Sequence, residues 1–297
     1  MYDNVLLYIC IFFSGISSEL PSQISAQLPI TVEQLDLGQT EEDFEILRSP
    51  DMKISSVFTS TGQDYENSNR EMALRRIPDL TKFLAKILAL LSAKEDWCTL
   101  QQMCSPEKLP FVEWDFEQYK EPCKFDSSKM KTDMIAAGLY KRCGSMEFMP
   151  VYVNGDGNCM YNSISVILTG EEYLSLELRT STTIAMIRHQ ESIKADAYSK
   201  GLHLAFQIDY QKDVCNAATQ GCFQQTMNFV GMCWAINSSC MLLYPQVHGL
   251  DNINSIINHG LFASVLPFKG FHVMWSGDCE DEYGWNHFVP LLMADNW

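Results

Sequence analysis

Residues 154–163 read Asn-Gly-Asp-Gly-Asn-Cys-Met-Tyr-Asn-Ser, and the reading of this stretch decides the fold. Turn-forming residues run from Asn154 to Asn158 and stop at Cys159. Beyond it Met160, Ile164, Ile167 and Leu168 recur on one helical face, with Gly170 placed to end the helix. Before it, Phe148 to Val153 is a short apolar run closed by the Asn-Gly turn, the pattern of a buried strand. A strand, a glycine-rich turn and a helix that begins on cysteine place a sulfur over the first-turn N–H groups. There the helix dipole and a neighbouring imidazolium lower a thiol pKa from its ordinary value of about 8.5. Gly155 and Gly157 open backbone conformations closed to other residues and bring N–H groups near the sulfur, where the same donors would hold an oxyanion. A tight turn followed by a small buried cysteine accounts for the stretch equally well. A general base would separate the two.

Six histidines are available: His189, His203, His248, His259, His272 and His287. The first four stand in polar helical or loop surroundings, where a solvated ring is the default. Phe271–Trp275 and Trp285–Val289 are strand-like runs joined by the turn-rich segment 276–284, which reads as a hairpin carrying His272 and His287. His287 is the better base candidate. It alternates with Trp285 and Val289 on one strand face and follows a loop offering Asp278, Glu280, Asp281 and Glu282.

Working outward, Leu174, Leu178, Ile184 and Ile187 mark a second, longer helix, and Met227–Cys240 a further helix leading into a Met241–Tyr244 strand stopped by Pro245. With the hairpin, this order gives an α+β domain, a mixed sheet flanked by helices, over residues 129–297. Residues 1–128 read as a poorly defined N-terminal extension. Within it, 17–70 are Ser-, Gln- and acid-rich without sustained period, and one amphipathic helix near 79–93 follows Pro78 and carries Leu80, Phe83, Leu84, Ile87, Leu88 and Leu91.

Charge counts of 21 Lys+Arg against 37 Asp+Glu leave a net of -16, which excludes nucleic acid held by a basic surface and favours a cationic partner. Eleven scattered cysteines read as reduced thiols of a cytoplasmic or nuclear protein. Val5–Ile16 resembles a signal-peptide core, which would mean secretion. No Lys or Arg precedes Arg48, however, and the run is shorter than the roughly 20 residues of a membrane span. A buried strand and a gene-model artefact are the alternatives. Cys215, Cys222, Cys233 and Cys240 are seven, eleven and seven apart, too wide for zinc-ligand pairs. Gly155 and Gly157 lack the third glycine and the Lys-Ser/Thr continuation of a phosphate loop, so no cofactor is expected.

Asp156-Gly157-Asn158-Cys159-Met160-Tyr161 with His287-Phe288 far downstream resembles the OTU (ovarian tumour) family of cysteine proteases, most of them deubiquitinases. The likeness covers about residues 145–295. It implies a papain-like cysteine protease fold with Cys159 as nucleophile, His287 as base and later acid, and Asp156 shaping the loop whose N–H groups bind the oxyanion. The implied substrates are conjugates of ubiquitin or a ubiquitin-like protein, whose arginine-bearing tail suits an acidic groove. Many members carry Asp or Asn two residues after the His, where this chain has Val289. The third member then comes from Asn286, Asp278, Glu280 or Asp281, or is absent, and weaker activity follows. The segments containing Tyr173–Ile187 and Cys233–Pro245 also resemble the OTU-like region of vertnin-type proteins, in which the nucleophile is replaced, whereas this chain retains Cys159. That likeness implies a non-catalytic interaction module as the alternative.

Overall fold

The computed structural model describes residues 62–119, 121–141, 147–199, 209–224, 226–244, 253–257, 270–276 and 287–294. Val5–Ile16, most of the Ser- and acid-rich segment, and the hairpin connection 277–286 lie outside them, as do His203, His248 and His259.

The architecture is α+β. Strands β1 (Phe148–Pro150), β2 (Cys240–Tyr244), β3 (Ile253–Ile257), β4 (Phe271–Ser276) and β5 (His287–Met293) form a sheet in the order β1-β5-β4-β2-β3. The β2–β4 pair is parallel and the others antiparallel, so the sheet is mixed as expected. The expected hairpin is β4–β5, with Ser276 opposite His287 and Met274 opposite Val289. β3 was not foreseen from the sequence.

Period-two alternation along β5 divides the strand between two cores. Phe288 and Leu292 belong to the main core with helix α4 (Cys159–Thr169), whereas Val289 and Leu291 pack with Ala136 and Leu139 of α3 (Met134–Lys141) on the other face. α3 was also missed. Asp133 starts it, its carboxylate accepting the Ala136 N–H at 2.7 Å. α4 is buried on every side from Cys159 to Leu168, which is why its sequence is apolar beyond one stripe. Full burial of Met160, Ile164 and Ile167, at about 1.5–3 kcal/mol each, fixes this helix as the axis of the molecule. Gly170 ends it at φ 79°. The second expected helix is α5 (Ser175–Arg188), followed by α6 (Gln190–Ser199), α7 (Tyr210–Ala218) and α8 (Thr226–Ala235). No helix among the described residues is long and apolar enough to cross a membrane.

The N-terminal helix differs from expectation. It runs from Gly62 to Ser92 as α1, and Pro78 lies inside it rather than before it. Residues 62–70, expected to be irregular, are its first turns. Polar composition hid the docking face, because Asn69, Ala73, Leu80, Phe83, Leu84, Ile87 and Leu91 are all buried at helical spacing. Ala73, Phe83, Leu84, Ile87 and Leu91 share one core with α4 and α5. α2 (Trp97–Met103) follows, capped by the Asp96 carboxylate on the Thr99 N–H at 2.8 Å.

One ion pair, its carboxylate buried and its guanidinium half-buried, fastens α1 to α5. Arg76 Nε stands 3.0 Å from Glu177 Oε1, with the guanidinium over the rings of Phe111 and Trp114. Burial raises the Glu177 pKa from 4.5 to about 7 against the opposing pull of Arg76. Because the folded value lies above the ordinary one, wild-type stability falls as pH climbs from 4.5 to about 7, and Arg76 limits that loss. Arg76 stabilises only the ionised carboxylate. Arg76→Met is therefore expected to cost about 1 kcal/mol more by urea denaturation at about pH 8.5 than at about pH 5.5. An equal cost at both would mean the arginine acts through packing alone.

Candidate active site

The loop between β1 and α4 is built by its own side chains. Asp156 Oδ1 accepts the Asn158 N–H at 2.9 Å, Asp156 Oδ2 accepts Asn158 Nδ2 at 2.9 Å, and Asn162 Nδ2 donates to Asp156 Oδ1 at 3.2 Å. Gly157 adopts φ 79°, and a Cβ there would lie 1.9 Å from the Gly221 carbonyl oxygen. Glycine is required at this position by both conformation and space. Gly155 differs from expectation, since its φ is not in the left-handed region and a Cβ would only touch the His287 ring at 3.6 Å.

Across from this loop run residues 216–222, the last turn of α7 and the segment after it, and Arg179 of α5 lies between them. Its side chain is among the largest fully buried ones in the protein. Nε and Nη2 donate to Asn158 Oδ1 at 3.1 and 2.7 Å, and Nη2 also reaches the carbonyls of Gly157 and Cys222. Nη1 donates to the carbonyls of Asn216, Ala217 and Thr219 at 3.0, 3.0 and 2.5 Å. These last acceptors lie at the C-terminus of α7, where a cation is favoured. The guanidinium also sits 4.6 Å from the centre of the Tyr161 ring. Gly221 N–H donates to the same Asn158 oxygen at 3.2 Å. Asn158 precedes α4 yet makes no side-chain cap, because its oxygen is engaged by Arg179 and Gly221.

Cys159 opens α4, and β5 packs along that helix. Burial raises the Cys159 pKa, hydrogen bonding from the backbone at Phe288, Met160 and Cys159 opposes that rise, and the charge of Asp156 adds to it. The expectation of a lowered thiol pKa is reversed. Cys159 is 2% exposed, and desolvation raises its pKa above the effect of those donors. His287, adjoining Phe288, is half-buried with Nδ1 and Cε1 against Gly155. Burial lowers its pKa, opposed first by the Asp133 carboxylate, then by a hydrogen bond to the Val153 backbone, then by Glu172 and Asp156. Both groups are biased toward their neutral forms.

Asp156 is exposed and committed within the loop, where it engages Asn158 and Asn162. Since it occupies the Asn158 N–H, that group is withdrawn from the expected oxyanion donors. Val289 is fully buried among Ala136, Leu139 and Met274, turned away from any role in orienting an imidazole. Asn286, Asp278, Glu280 and Asp281 lie outside the described residues. His272 stacks on Phe148 at 4.5 Å, and His189 ends α5 beside Trp234. Cys233 and Cys240 are buried and Cys215 and Cys222 half-buried. Two residues escaped the sequence reading. Arg179 was signalled by an arginine at a buried position of the α5 pattern, one residue after Leu178. Asp133 carried only its cap-like place before Met134.

Residues 150–203 match the family model described as Vertnin, OTU domain. The chain is 22% identical to vertnin of Danio rerio over 222 residues, covering 66% of this chain and 32% of that protein. It is 31% identical to the vertnins of Bos taurus and Homo sapiens over 61 residues, covering 20% of this chain and 9% of each of those proteins. The chain thus spans about a third or less of the curated relatives it matches. Among solved structures it is similar to the OTUD1 OTU domain, with 17% identity, a TM-score of 0.41, and coverage of 54% of this chain and 95% of that one. It is also similar to the Hazara virus OTU bound to ubiquitin, with 12% identity, a TM-score of 0.32, and coverage of 61% and 100%. The matched segment is OTU-like, of vertnin type.

Placing a carboxylate at position 289 would bury it against α3 with no partner among the described residues. Val289→Asp is expected to destabilise the fold by about 2–4 kcal/mol in urea denaturation. An unchanged midpoint would show that position 289 reaches solvent.

Proposed function

We propose that this site is an OTU-type thiol hydrolase centre that cleaves conjugates of ubiquitin or a ubiquitin-like protein, with Cys159 as nucleophile and His287 as general base. The observation that carries the reading is the His287 ring set against Gly155, in the loop leading to Cys159, with β5 packed along the helix that the cysteine opens. Retention of a thiol at 159 and an imidazole at 287 distinguishes this chain from the nucleophile-free pattern that the vertnin resemblance implies. Ubiquitin is the substrate class the OTU resemblance supplies, and the chain's net charge of -16 suits an arginine-bearing tail.

With both groups biased to neutrality, the mechanism is general-base catalysis rather than attack by a preformed thiolate. As the sulfur bonds to the carbonyl carbon, the thiol proton passes to the imidazole and the carbonyl π electrons move to oxygen. Collapse of the tetrahedral intermediate breaks the C–N bond, and the imidazolium returns the proton to the departing amine. Water, deprotonated by the same imidazole, then cleaves the thioester and restores the thiol. The Val153 backbone orients the ring, and the Asp133 carboxylate favours its cationic form. That support takes the place of an acid at position 289.

A second reading, a non-catalytic interaction module, is favoured by the 2% exposure of Cys159 and its raised pKa. A ubiquitin probe with a thiol-reactive C-terminal electrophile decides between them. The hydrolase reading predicts labelling that is lost in Cys159→Ala and slowed about 100-fold or more in His287→Ala, with melting of His287→Ala close to wild type. Absence of labelling in well-folded wild type would favour the interaction module.

A further inference from the structure

We infer that Arg179 is the positioning residue of this site, fixing the loop that delivers Cys159 to the start of α4 through the side-chain oxygen of Asn158. The inference rests on the hydrolase reading for its functional consequence, but its geometry stands independently.

Arg179 is 1% exposed, and its partners among the described residues are carbonyl and amide oxygens rather than a carboxylate. A guanidinium placed there only to neutralise a charge would have an acid beside it. This one instead joins the loop before α4 to the C-terminal end of α7. One side of its fork takes Asn158 Oδ1 and the Gly157 carbonyl, immediately before Cys159, and the other takes the end of α7. The contact it closes is tight enough that Gly221 fills the space a Cβ on Gly157 would need.

The segment after α7 then leads back to the site. Cys222, whose carbonyl accepts from Arg179 Nη2 at 3.2 Å, is followed by Phe223. Phe223 stacks on Phe288, with ring centres 5.7 Å apart and planes 13° apart. Phe288 follows His287 on β5, the strand that packs along α4. Arg179 therefore touches both the segment entering the nucleophile and the segment supporting the strand beside it. Its hold on Asn158 Oδ1 has a further consequence. An Asn at this position ordinarily turns its oxygen to the first-turn N–H groups of the helix. With that oxygen held by Arg179 and Gly221, Asn158 makes no cap on α4 and serves instead as the link between the two segments. Lysine offers no planar fork and cannot serve both sides of the junction.

The test uses the full chain and reads the pH inflection of Cys159 alkylation by iodoacetamide, resolved by mass spectrometry, with melting recorded for each variant. Arg179→Lys is expected to raise the inflection by about half a unit or more while the protein still melts cooperatively, because a loosened loop no longer holds the sulfur at the N-terminus of α4, where a thiolate is favoured. Asn158→Ala breaks the same link from its other end, leaves Arg179 its carbonyl partners, and is expected to raise the inflection likewise. The double variant should move no further than either single one. An unchanged inflection in folded Arg179→Lys, or additive shifts in the double variant, would overturn the inference. Should Arg179→Lys fail to fold, an unchanged inflection in Asn158→Ala overturns it alone. Labelling by the ubiquitin probe is expected to slow about 10-fold in the same variants. An inflection shift in protein that the probe never labels would sink the hydrolase reading and leave the placement of Arg179 standing. A labelled wild type whose variants show no shift would sink this inference alone.

Discussion

A guanidinium buried among carbonyl oxygens is the constraint from which the site follows. Taking such a cation out of water costs several kcal/mol even after relaxation. Charge-assisted hydrogen bonds contribute about 1.5–3 kcal/mol each, so one or two would leave Arg179 destabilising and the full set turns the balance. That set exists only where the end of α7 and the loop before α4 face each other across α5. Moving either loop would strand a buried charge. The close approach of Gly157 to Gly221 and the diversion of the Asn158 side chain from its capping role both follow from this one requirement.

The same burial sets the chemistry of the thiol. A helix N-terminus is worth about 0.3–1 kcal/mol to a nearby anion, and the N–H groups of Met160 and Phe288 add to it. Against these stands removal from water of a side chain only 2% exposed, and at Cys159 that loss of hydration prevails. At His287 burial likewise outweighs the charges of Asp133, Glu172 and Asp156. In the proposed hydrolase a neutral thiol and a neutral imidazole form a resting pair suited to transferring a proton during attack. It is also less reactive toward adventitious electrophiles than a standing thiolate.

Much of this was legible in the sequence wherever a short pattern had a local cause. The run Asn154–Ser163 specifies strand end, turn and helix start because glycine, Asx and helical periodicity each act within a few residues. The β4–β5 hairpin was legible from two strand-like runs and a turn-rich connection. What escaped depends on contacts between distant segments. Nothing near Arg179 announces that its partners lie at Asn158 and Asn216–Cys222. Desolvation of Cys159 comes from β5 and α4 closing over it, so local rules gave the wrong sign for its pKa. The start of α1 was missed because its docking face is carried by Asn69 and Ala73 within polar sequence. Val289 was read by its place after the histidine, whereas the second core under α3, itself unforeseen, determines what that position packs against.

The account stands on the thiol of Cys159 and the imidazole of His287 sharing one site in neutral form. The most direct measurement is a titration of the His287 ring by long-range proton–nitrogen NMR, in the wild type and in Cys159→Ser. The account predicts a neutral ring at neutral pH, a midpoint below the ordinary 6.5, and a change in the ring nitrogen shifts when the sulfur is replaced. A midpoint at 6.5 with nitrogen shifts indifferent to residue 159 would place the ring in solvent, apart from the cysteine, and contradict it.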